Sequence, residues 1–359
     1  MGNLLINLSF LLEKPTGLSV YANNIIPYLS SLNPILLVGH HKPDYSCYQI
    51  SNNLTAKEGK KGHFNRLLWN QFQLPKIYQE LSGNLLFSPV PEIPIYTKCK
   101  SVIMVHDLIP LRFYHGRSPL SLYFRYYLPF VLDQAQHIIC NSQATAQDLQ
   151  TYFQIPESKI TPIWLGYDRD NFKPLHQNNN PNPPYFLYYG RHDPYKNLSR
   201  IIQSFAIVPN NKNYELWIAG SADPRFTPQL KLLTQELNIA AQVKFLDYIS
   251  YQELPQIING AIALIFPSLW EGFGFPVLES MACGTPVITS NLSSLAEIAG
   301  DAALLVNPYS IGEISDAMKA IVNDSSLREK LKQKSLAQAQ KFSWEKTGTK
   351  TAEIITKYV

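Results

Sequence analysis

Short runs of Val, Ile, Leu and Tyr recur along the chain, each set off from the next by a helix-length amphipathic stretch. That alternation leaves little besides a parallel sheet covered on both faces, because parallel neighbours need a long crossover and doubly buried strands read as continuous apolar runs. The pattern predicts strands over 4–10, 35–39, 85–88, 101–106, 137–140 and 160–165. A second series follows over 185–189, 215–219, 243–246, 261–266, 286–289 and 303–306. Between the two lies a polar stretch, 173–184, that contains Asn178-Asn179-Asn180-Pro181-Asn182-Pro183-Pro184 and suits neither a helix nor a central strand. The expected architecture is α/β: two doubly wound, Rossmann-like domains over 1–172 and 185–342, joined by a linker over 173–184. Helix punctuation agrees. Ser250 with Glu253, and Ser294 with Glu297, fit S-x-x-E capping boxes, while Pro276 and Gly284 stand where a helix start and stop belong. The tail over 343–359 reads as a further helix with Trp344, Ile354, Ile355 and Tyr358 as its apolar members.

Composition narrows the class of function. With 359 residues, the chain has room for about two domains of ordinary size. Hydrophobic residues make up 45% and charged residues 16%, against about 25% charged in typical domains, so wholesale disorder is excluded. The 31 basic and 27 acidic residues leave a net charge of +4, too balanced for a protein that wraps nucleic acid. One basic concentration, Lys57, Lys60, Lys61, Arg66 and Lys76 interleaved with Phe64, Trp69 and Phe72, reads as a solvated loop before a half-buried helix; acidic lipid headgroups or an acidic acceptor are its alternative partners. Cysteines at 47, 99, 140 and 283 have neither paired spacing nor a C-x-x-C, which points to a reducing cytoplasm. The apolar run over 4–12 lacks the basic leader and cleavage site of a signal peptide and reads as a buried first strand. No apolar run approaches the roughly 18 residues of a membrane-spanning helix. Membrane association is therefore expected to be peripheral, at the inner face.

In open α/β sheets ligands bind beyond the carboxyl ends of the strands, so the residues that follow each strand carry the most information. After the run ending at Phe266 comes a glycine-rich loop, Trp270-Glu271-Gly272-Phe273-Gly274, then a helix opened by Pro276 that carries Glu279. A carboxylate near a helix N-terminus is expected to be held ionised by the helix dipole and to accept from two neighbouring hydroxyls, as a ribose diol would offer. Backbone N–H groups freed by Gly272 and Gly274 point at an anion in front of the helix.

The stretch from Glu271 to Glu279 resembles the E-x7-E signature of the retaining, nucleotide-sugar-dependent glycosyltransferases of family 4, and its mannosyltransferase-like members in particular. These have the GT-B fold, two doubly wound Rossmann-like domains facing a central cleft. Gly190-Arg191-His192-Asp193-Pro194-Tyr195-Lys196-Asn197 is similar to the family's Gly-Arg…Lys-Asn loop. Val243-Lys244-Phe245-Leu246, Gly284-Thr285-Pro286-Val287-Ile288 and Glu297-Ile298-Ala299-Gly300-Asp301-Ala302-Ala303 also match, and the likeness is densest over 185–309. The resemblance implies donor binding by Gly17, Gly190, Arg191, Lys196, Glu271, Gly272, Phe273, Gly274 and Glu279. It implies catalytic roles for His106, Arg191, Lys196 and Glu271. Arg191 and Lys196 would grip the donor diphosphate, where fixed cations stabilise the charge that grows on a departing nucleoside diphosphate. No resident cofactor and no metal is implied, the nucleotide sugar being a co-substrate. The final helix, over 343–359, would cross back to complete the first domain.

Two segments of the first half extend the likeness. Pro15-Thr16-Gly17-Leu18-Ser19 is similar to the family's phosphate-approaching loop but departs from its Gly-Gly-hydrophobic-Gly pattern. Val105-His106-Asp107-Leu108-Ile109-Pro110 resembles the His-Asp segment in which the histidine meets the donor sugar. Asp168-Arg169-Asp170 spells the D-x-D metal motif of another glycosyltransferase architecture, but Gly166-Tyr167-Asp168 matches a Gly-hydrophobic-Asp segment of family 4. His106, His115 and His192 have no metal-ligand spacing.

The expected activity is transfer of a hexose, with mannose from GDP-mannose favoured by the His-Asp-Leu-Ile-Pro segment. The acceptor is a saccharide or a lipid-linked saccharide, and the anomeric configuration is kept. Two rivals remain. A nucleotide-sugar 2-epimerase could occupy the same frame, and a catalytically silent subunit of a glycosylation complex would be expected to have lost some of Arg191, Lys196, Glu271 and Glu279.

Overall fold

The computed structural model describes residues 3–12, 17–113, 119–175 and 182–359. They form two units, Met1–Gly166 together with Ser343–Val359, and Tyr167–Phe342.

The first unit is built on β1 (Asn3–Asn7), β2 (Ile35–Val38), β3 (Ser46–Gln49), β4 (Gly83–Ser88), β5 (Ser101–Val105), β6 (His137–Cys140) and β7 (Ile160–Pro162). They lie in the order β3-β2-β1-β4-β5-β6-β7, every pair parallel. Leu5 pairs with Ile35 on one side and Leu86 on the other, and β5 is buried along its whole length, as doubly covered strands must be. The second unit holds β8 (Tyr185–Tyr189), β9 (Glu215–Ala219), β10 (Val243–Leu246), β11 (Ala263–Phe266), β12 (Val287–Ser290) and β13 (Leu304–Val306). Their order is β10-β9-β8-β11-β12-β13, again all parallel. Every expected strand is present. The added one, β3, is a sheet edge whose Ser-Cys-Tyr-Gln sequence has no apolar run to announce it.

Both sheets grow outward from their first strand and then return to its other side. The order therefore reverses between β1 and β4 in one unit and between β8 and β11 in the other, which is where a doubly wound sheet opens a crevice for ligand.

The units divide after Gly166, ahead of the linker expected from composition. Residues 167–175 are bonded within the second unit: Arg169 donates to the carbonyls of Gln340 and Phe342, Asn171 to that of Tyr251, and Asn259 to that of Lys173. Residues 176–181 of that linker lie outside the described residues. The terminal helix, Trp344–Thr356, packs in the first unit. Ser343 caps it by accepting from the Lys346 N–H at 3.1 Å, Thr347 Oγ1 donates to Trp164 O at 2.7 Å, and Ile354 and Ile355 are buried. Gly348 sets how close the helix can come, since a Cβ there would stand 2.1 Å from the Tyr28 ring.

The two capping boxes have different outcomes. Ser250 and Glu253 bond reciprocally, the Glu253 N–H to Ser250 Oγ at 3.3 Å and the Ser250 N–H to Glu253 Oε2 at 3.2 Å. Ser294 is no cap. Its helix, Ser293–Ala299, already begins one residue earlier, and the Ser294 hydroxyl turns away from that helix toward the loop after β11.

Candidate active site

Two loops flank the switch point of the second sheet. One leaves β8 as Gly190–Asn197 and the other leaves β11 as Pro267–Gly274. Asn197 fastens them together, its Nδ2 lying 2.9 Å from Pro267 O and 2.6 Å from Pro308 O, and the Leu269 N–H donates to Tyr195 O at 2.8 Å. Tyr188 donates from its hydroxyl to Arg191 O at 2.6 Å, which fixes the start of the first loop.

The fastening brings Lys196 onto Glu271. Nζ stands 2.7 Å from Oε1, with 13% and 10% of the two side chains exposed, and the ammonium lies 5.2 Å from the ring centres of both Tyr195 and Phe266. Arg191 is different: its side chain is 71% exposed and pairs with buried Asp193 at 2.8 Å. One cation is therefore set in a nearly dry pocket and the other extends into water.

The glycine loop is braced from behind. The Glu271 N–H donates to Ser293 Oγ at 3.2 Å, and the Ser294 hydroxyl is shared between the carbonyls of Glu271 (2.9 Å) and Phe273 (2.7 Å). Gly274 has φ +116°, and a Cβ on it would meet Leu295 at 2.6 Å, so the turn into the helix Phe275–Ala282 requires glycine. The Phe273 side chain is buried against Phe275 and Phe342. Any contact it makes with a donor falls to its main chain.

Glu279 departs from expectation. Burial pushes its pKa up to about 7, with the nearby Asp168 carboxylate adding to the rise and the Tyr189 hydroxyl, 2.8 Å from Oε2, opposing it. The helix dipole does not keep it firmly ionised because Glu279 is the fifth residue of its helix, and the dipole's influence fades within the first turn. Asp168 itself accepts from the N–H groups of Asp170 and Asn171 and from the Tyr251 hydroxyl. Among the described residues, no group of three or more His, Cys, Asp or Glu could hold a metal ion.

If Glu279 takes the ribose diol that the resemblance implies, the diol bonds best to the carboxylate form, and nucleoside diphosphate binding is expected to tighten about tenfold between pH 6 and pH 8 and then level off. Calorimetric titration checks this against Glu279→Gln, which should lose the step and leave only the titration of the ligand. Tyr189→Phe removes a donor that favours the anion and should move the midpoint upward, whereas Asp168→Asn should move it downward. A wild-type profile identical to that of Glu279→Gln denies the ribose contact.

In the first unit, His106 closes β5. Nε2 lies 2.9 Å from Pro89 O, the ring meets Tyr21 edge-on at 5.1 Å, and burial lowers the pKa to about 4. The ring is neutral at pH 7; the nitrogen that faces a carbonyl carries the proton, which leaves Nδ1 as an acceptor. Asp107 accepts from the Ile109 N–H at 3.0 Å. Gly17 opens the helix Gly17–Ile25, and a Cβ on it would meet nothing within 4 Å, so packing does not demand glycine there. His192 is occupied, its Nδ1 lying 2.7 Å from Thr227 Oγ1, and His115 lies outside the described residues. Sequence reasoning missed Tyr189, Ser293 and the structural part of Asn197, and it read Ser294 as a helix cap. Of these, Asn197 stood inside the Gly-Arg…Lys-Asn loop and Ser294 inside an S-x-x-E spacing.

The family model for glycosyltransferase family 4 matches residues 16–171, and that for glycosyl transferases group 1 matches residues 170–338. O-antigen chain mannosyltransferase B of Escherichia coli is 30% identical over 238 residues, 61% of this chain and 60% of that protein. O-antigen chain mannosyltransferase RfbU of Salmonella typhimurium is 26% identical over 334 residues, 89% of this chain and 90% of that one. The chain spans between 32% and 60% of the length of the first four curated relatives it matches. Among solved structures, HepE of Anabaena in complex with UDP and glucose superposes with a TM-score of 0.75 at 17% identity, over 99% of this chain and 100% of that one. Since the two family models meet at residues 170–171 and together run from residue 16 to residue 338, the chain belongs to the family 4 type of glycosyltransferases and has the GT-B fold.

Proposed function

We propose that the chain is a retaining hexosyltransferase that takes a hexose from a nucleotide sugar, mannose from GDP-mannose by preference, and joins it to a saccharide or lipid-linked saccharide. The observation that carries this reading is the buried Lys196–Glu271 pair at the switch point of the second sheet, with Glu279 on the helix that follows. The names of the two mannosyltransferase relatives support the sugar, and the complex of HepE with UDP and glucose supports the donor class.

In this mechanism Glu279 takes the ribose diol, and the diphosphate lies against Arg191, Lys196 and the N–H groups at the start of the helix Phe275–Ala282. As the sugar's anomeric C–O bond to phosphate breaks, charge grows on the diphosphate and the two cations stabilise it most at that point. The acceptor hydroxyl bonds to the same face of the anomeric carbon and passes its proton to the departing phosphate oxygen. His106, neutral, accepts a hydroxyl hydrogen through Nδ1 and orients the sugar; at this pKa it does not act as an acid. The enzyme works in the cytoplasm without a resident cofactor.

Activity is expected to survive EDTA, because the cations and the helix N-terminus offset the leaving charge. Loss in EDTA with rescue by Mn²⁺ would instead make Asp168 and Asp170 metal ligands. The deciding experiment is a thermal-shift comparison of UDP-, GDP- and ADP-sugars, where a donor at 100 times its Kd adds about 2.7 kcal/mol, followed by product analysis with and without acceptor. A 2-epimer formed without acceptor makes the protein an epimerase. Donor binding without turnover on any acceptor makes it a silent subunit.

A further inference from the structure

β4 runs on into Pro89-Val90-Pro91-Glu92-Ile93-Pro94, a segment whose prolines have no N–H to give to a neighbouring strand. Its carbonyls still need partners, and side chains supply them. Pro89 O faces His106 Nε2 at 2.9 Å, and Pro91 O accepts from the Tyr123 hydroxyl. Glu92 O accepts from Ser88 Oγ at 3.0 Å and from Asn7 Nδ2 at 3.4 Å, and Ile93 O accepts from Gln71 Nε2 at 3.1 Å. The Glu92 N–H turns back to Val90 O at 2.7 Å. The segment is a bracket fastened along its length, and one end of it meets the His106 ring.

An ion pair anchors the bracket. Arg66 presents Nε and Nη2 to the two carboxylate oxygens of Glu92 at 2.5 and 2.7 Å, fork against fork, with 6% and 12% of the two side chains exposed. Sequence counts Arg66 among basic surface residues; the structure buries it. Its Nη1 donates to Leu54 O at 2.9 Å, and Asn70, one turn further along the helix Gly59–Phe72, donates to Glu92 Oε2 at 3.3 Å while accepting from Asn7 Nδ2 at 3.0 Å. Asn7 ends β1 and Ser88 ends β4, so the cluster lies at the switch point of the first sheet. A buried ion pair adds little stability over apolar side chains of the same size. What it offers instead is geometry, because a planar guanidinium meets a carboxylate in a fixed orientation.

We propose that Glu92, held by Arg66, is a positioning residue for His106: through Pro89 O it keeps the ring proton on Nε2 and leaves Nδ1 to accept from a hydroxyl of the transferred sugar. The line of contacts is short. Glu92 stands three residues from Pro89, and the bonds on its own carbonyl and N–H fix the turn between them. Tyr21 meets the ring edge-on at 5.1 Å and limits its tilt, but its hydroxyl makes no hydrogen bond that would choose a tautomer. A neutral imidazole without the carbonyl would share its proton between both nitrogens and offer a donor where an acceptor is needed. This positioning role rests on the part proposed for His106 in sugar transfer.

The test joins steady-state kinetics to ¹⁵N NMR of the histidine rings in the full chain, with the His106 signals assigned by their loss in His106→Gln. The parent is expected to show Nε2 protonated and Nδ1 bare at neutral pH. Arg66→Met with Glu92→Gln removes both charges and strands neither, so the chain should fold; Arg66→Lys keeps the charge and gives up the fork. In the paired variant the His106 signals should move toward those of a ring that shares its proton, and kcat should fall about tenfold or more. The Kd for nucleoside diphosphate, which lacks the sugar, should stay at the parental value. Arg66→Lys should move the same signals by less. His106 signals unchanged in both variants overturn the positioning role, whatever happens to turnover. So does a shift of every histidine signal together with a fall in melting temperature, since the pair then serves the fold alone. His106 signals that move while kcat holds bear out the positioning and deny His106 its part in the reaction, so the two failures are told apart.

Discussion

Lys196→Ala is expected to lower kcat by about 100-fold or more while changing the donor KM far less. Its ammonium is held 2.7 Å from Glu271 in a pocket where both side chains are nearly buried, so water screens it little. In the resting protein Glu271 neutralises that charge. In the proposed mechanism a departing diphosphate competes for it, and the attraction is greatest when the phosphate oxygens are most negative, which is what accelerates a chemical step rather than a binding step. Alanine also strands the Glu271 carboxylate, and breaking a buried pair costs about 3 to 5 kcal/mol, so the melting temperature should fall too. Lys196→Met with Glu271→Gln separates the two effects: removing both charges should restore stability without restoring turnover. Arg191→Ala should also slow turnover; its own side chain is largely in water but its partner Asp193 is buried, so the melting temperature should fall, though less than for Lys196→Ala. Steady-state kinetics and thermal melting of the set provide the check. A change confined to KM reassigns the cations to ground-state binding.

Deleting Ser343–Val359 is expected to make the chain aggregate or lose activity while the second unit keeps nucleotide binding. The helix Trp344–Thr356 buries Thr347, Gly348, Thr351, Ile354 and Ile355 in the first unit. Each large apolar side chain removed from such a site forfeits about 1.5 to 3 kcal/mol, and the surface it covered becomes sticky. Tyr358 is lost as well, with its hydroxyl 3.1 Å from His137 Nδ1. Gly348→Val is the milder form, forcing a branched side chain toward the Tyr28 ring that already leaves no room for a Cβ. Light scattering and a thermal shift with nucleoside diphosphate read the two halves of the expectation separately. A truncated chain that stays monomeric and turns over at the parental rate denies the helix any such part.

The strands were legible because a strand buried on both faces must be apolar throughout, and Tyr185–Tyr189 or Ala263–Phe266 can be little else. The same rule hid Tyr189. In a run of Tyr-Phe-Leu-Tyr-Tyr it reads as core, and its hydroxyl reaches Glu279 across 90 positions that no local pattern connects. Ser294 shows the opposite failure. Its S-x-x-E spacing satisfied the capping rule, yet a rule about neighbours three residues apart cannot register carbonyls more than twenty residues upstream. Glu279 was found by motif and misjudged in charge, because burial, and after it the nearness of the Asp168 carboxylate, are matters of depth rather than order.

The return of the last helix to the first unit also sets a timetable for synthesis. That unit's first 166 residues leave the ribosome with the berth beside Tyr28 still empty. Roughly 175 more residues must then be made before the occupant arrives, a wait of about 10 to 35 s at ordinary elongation rates. The second unit, contiguous from Tyr167 to Phe342, is complete before that wait ends. The half of the chain that begins first is therefore the half that finishes last, and its unfilled berth is the surface that a nascent-chain chaperone would have to shield.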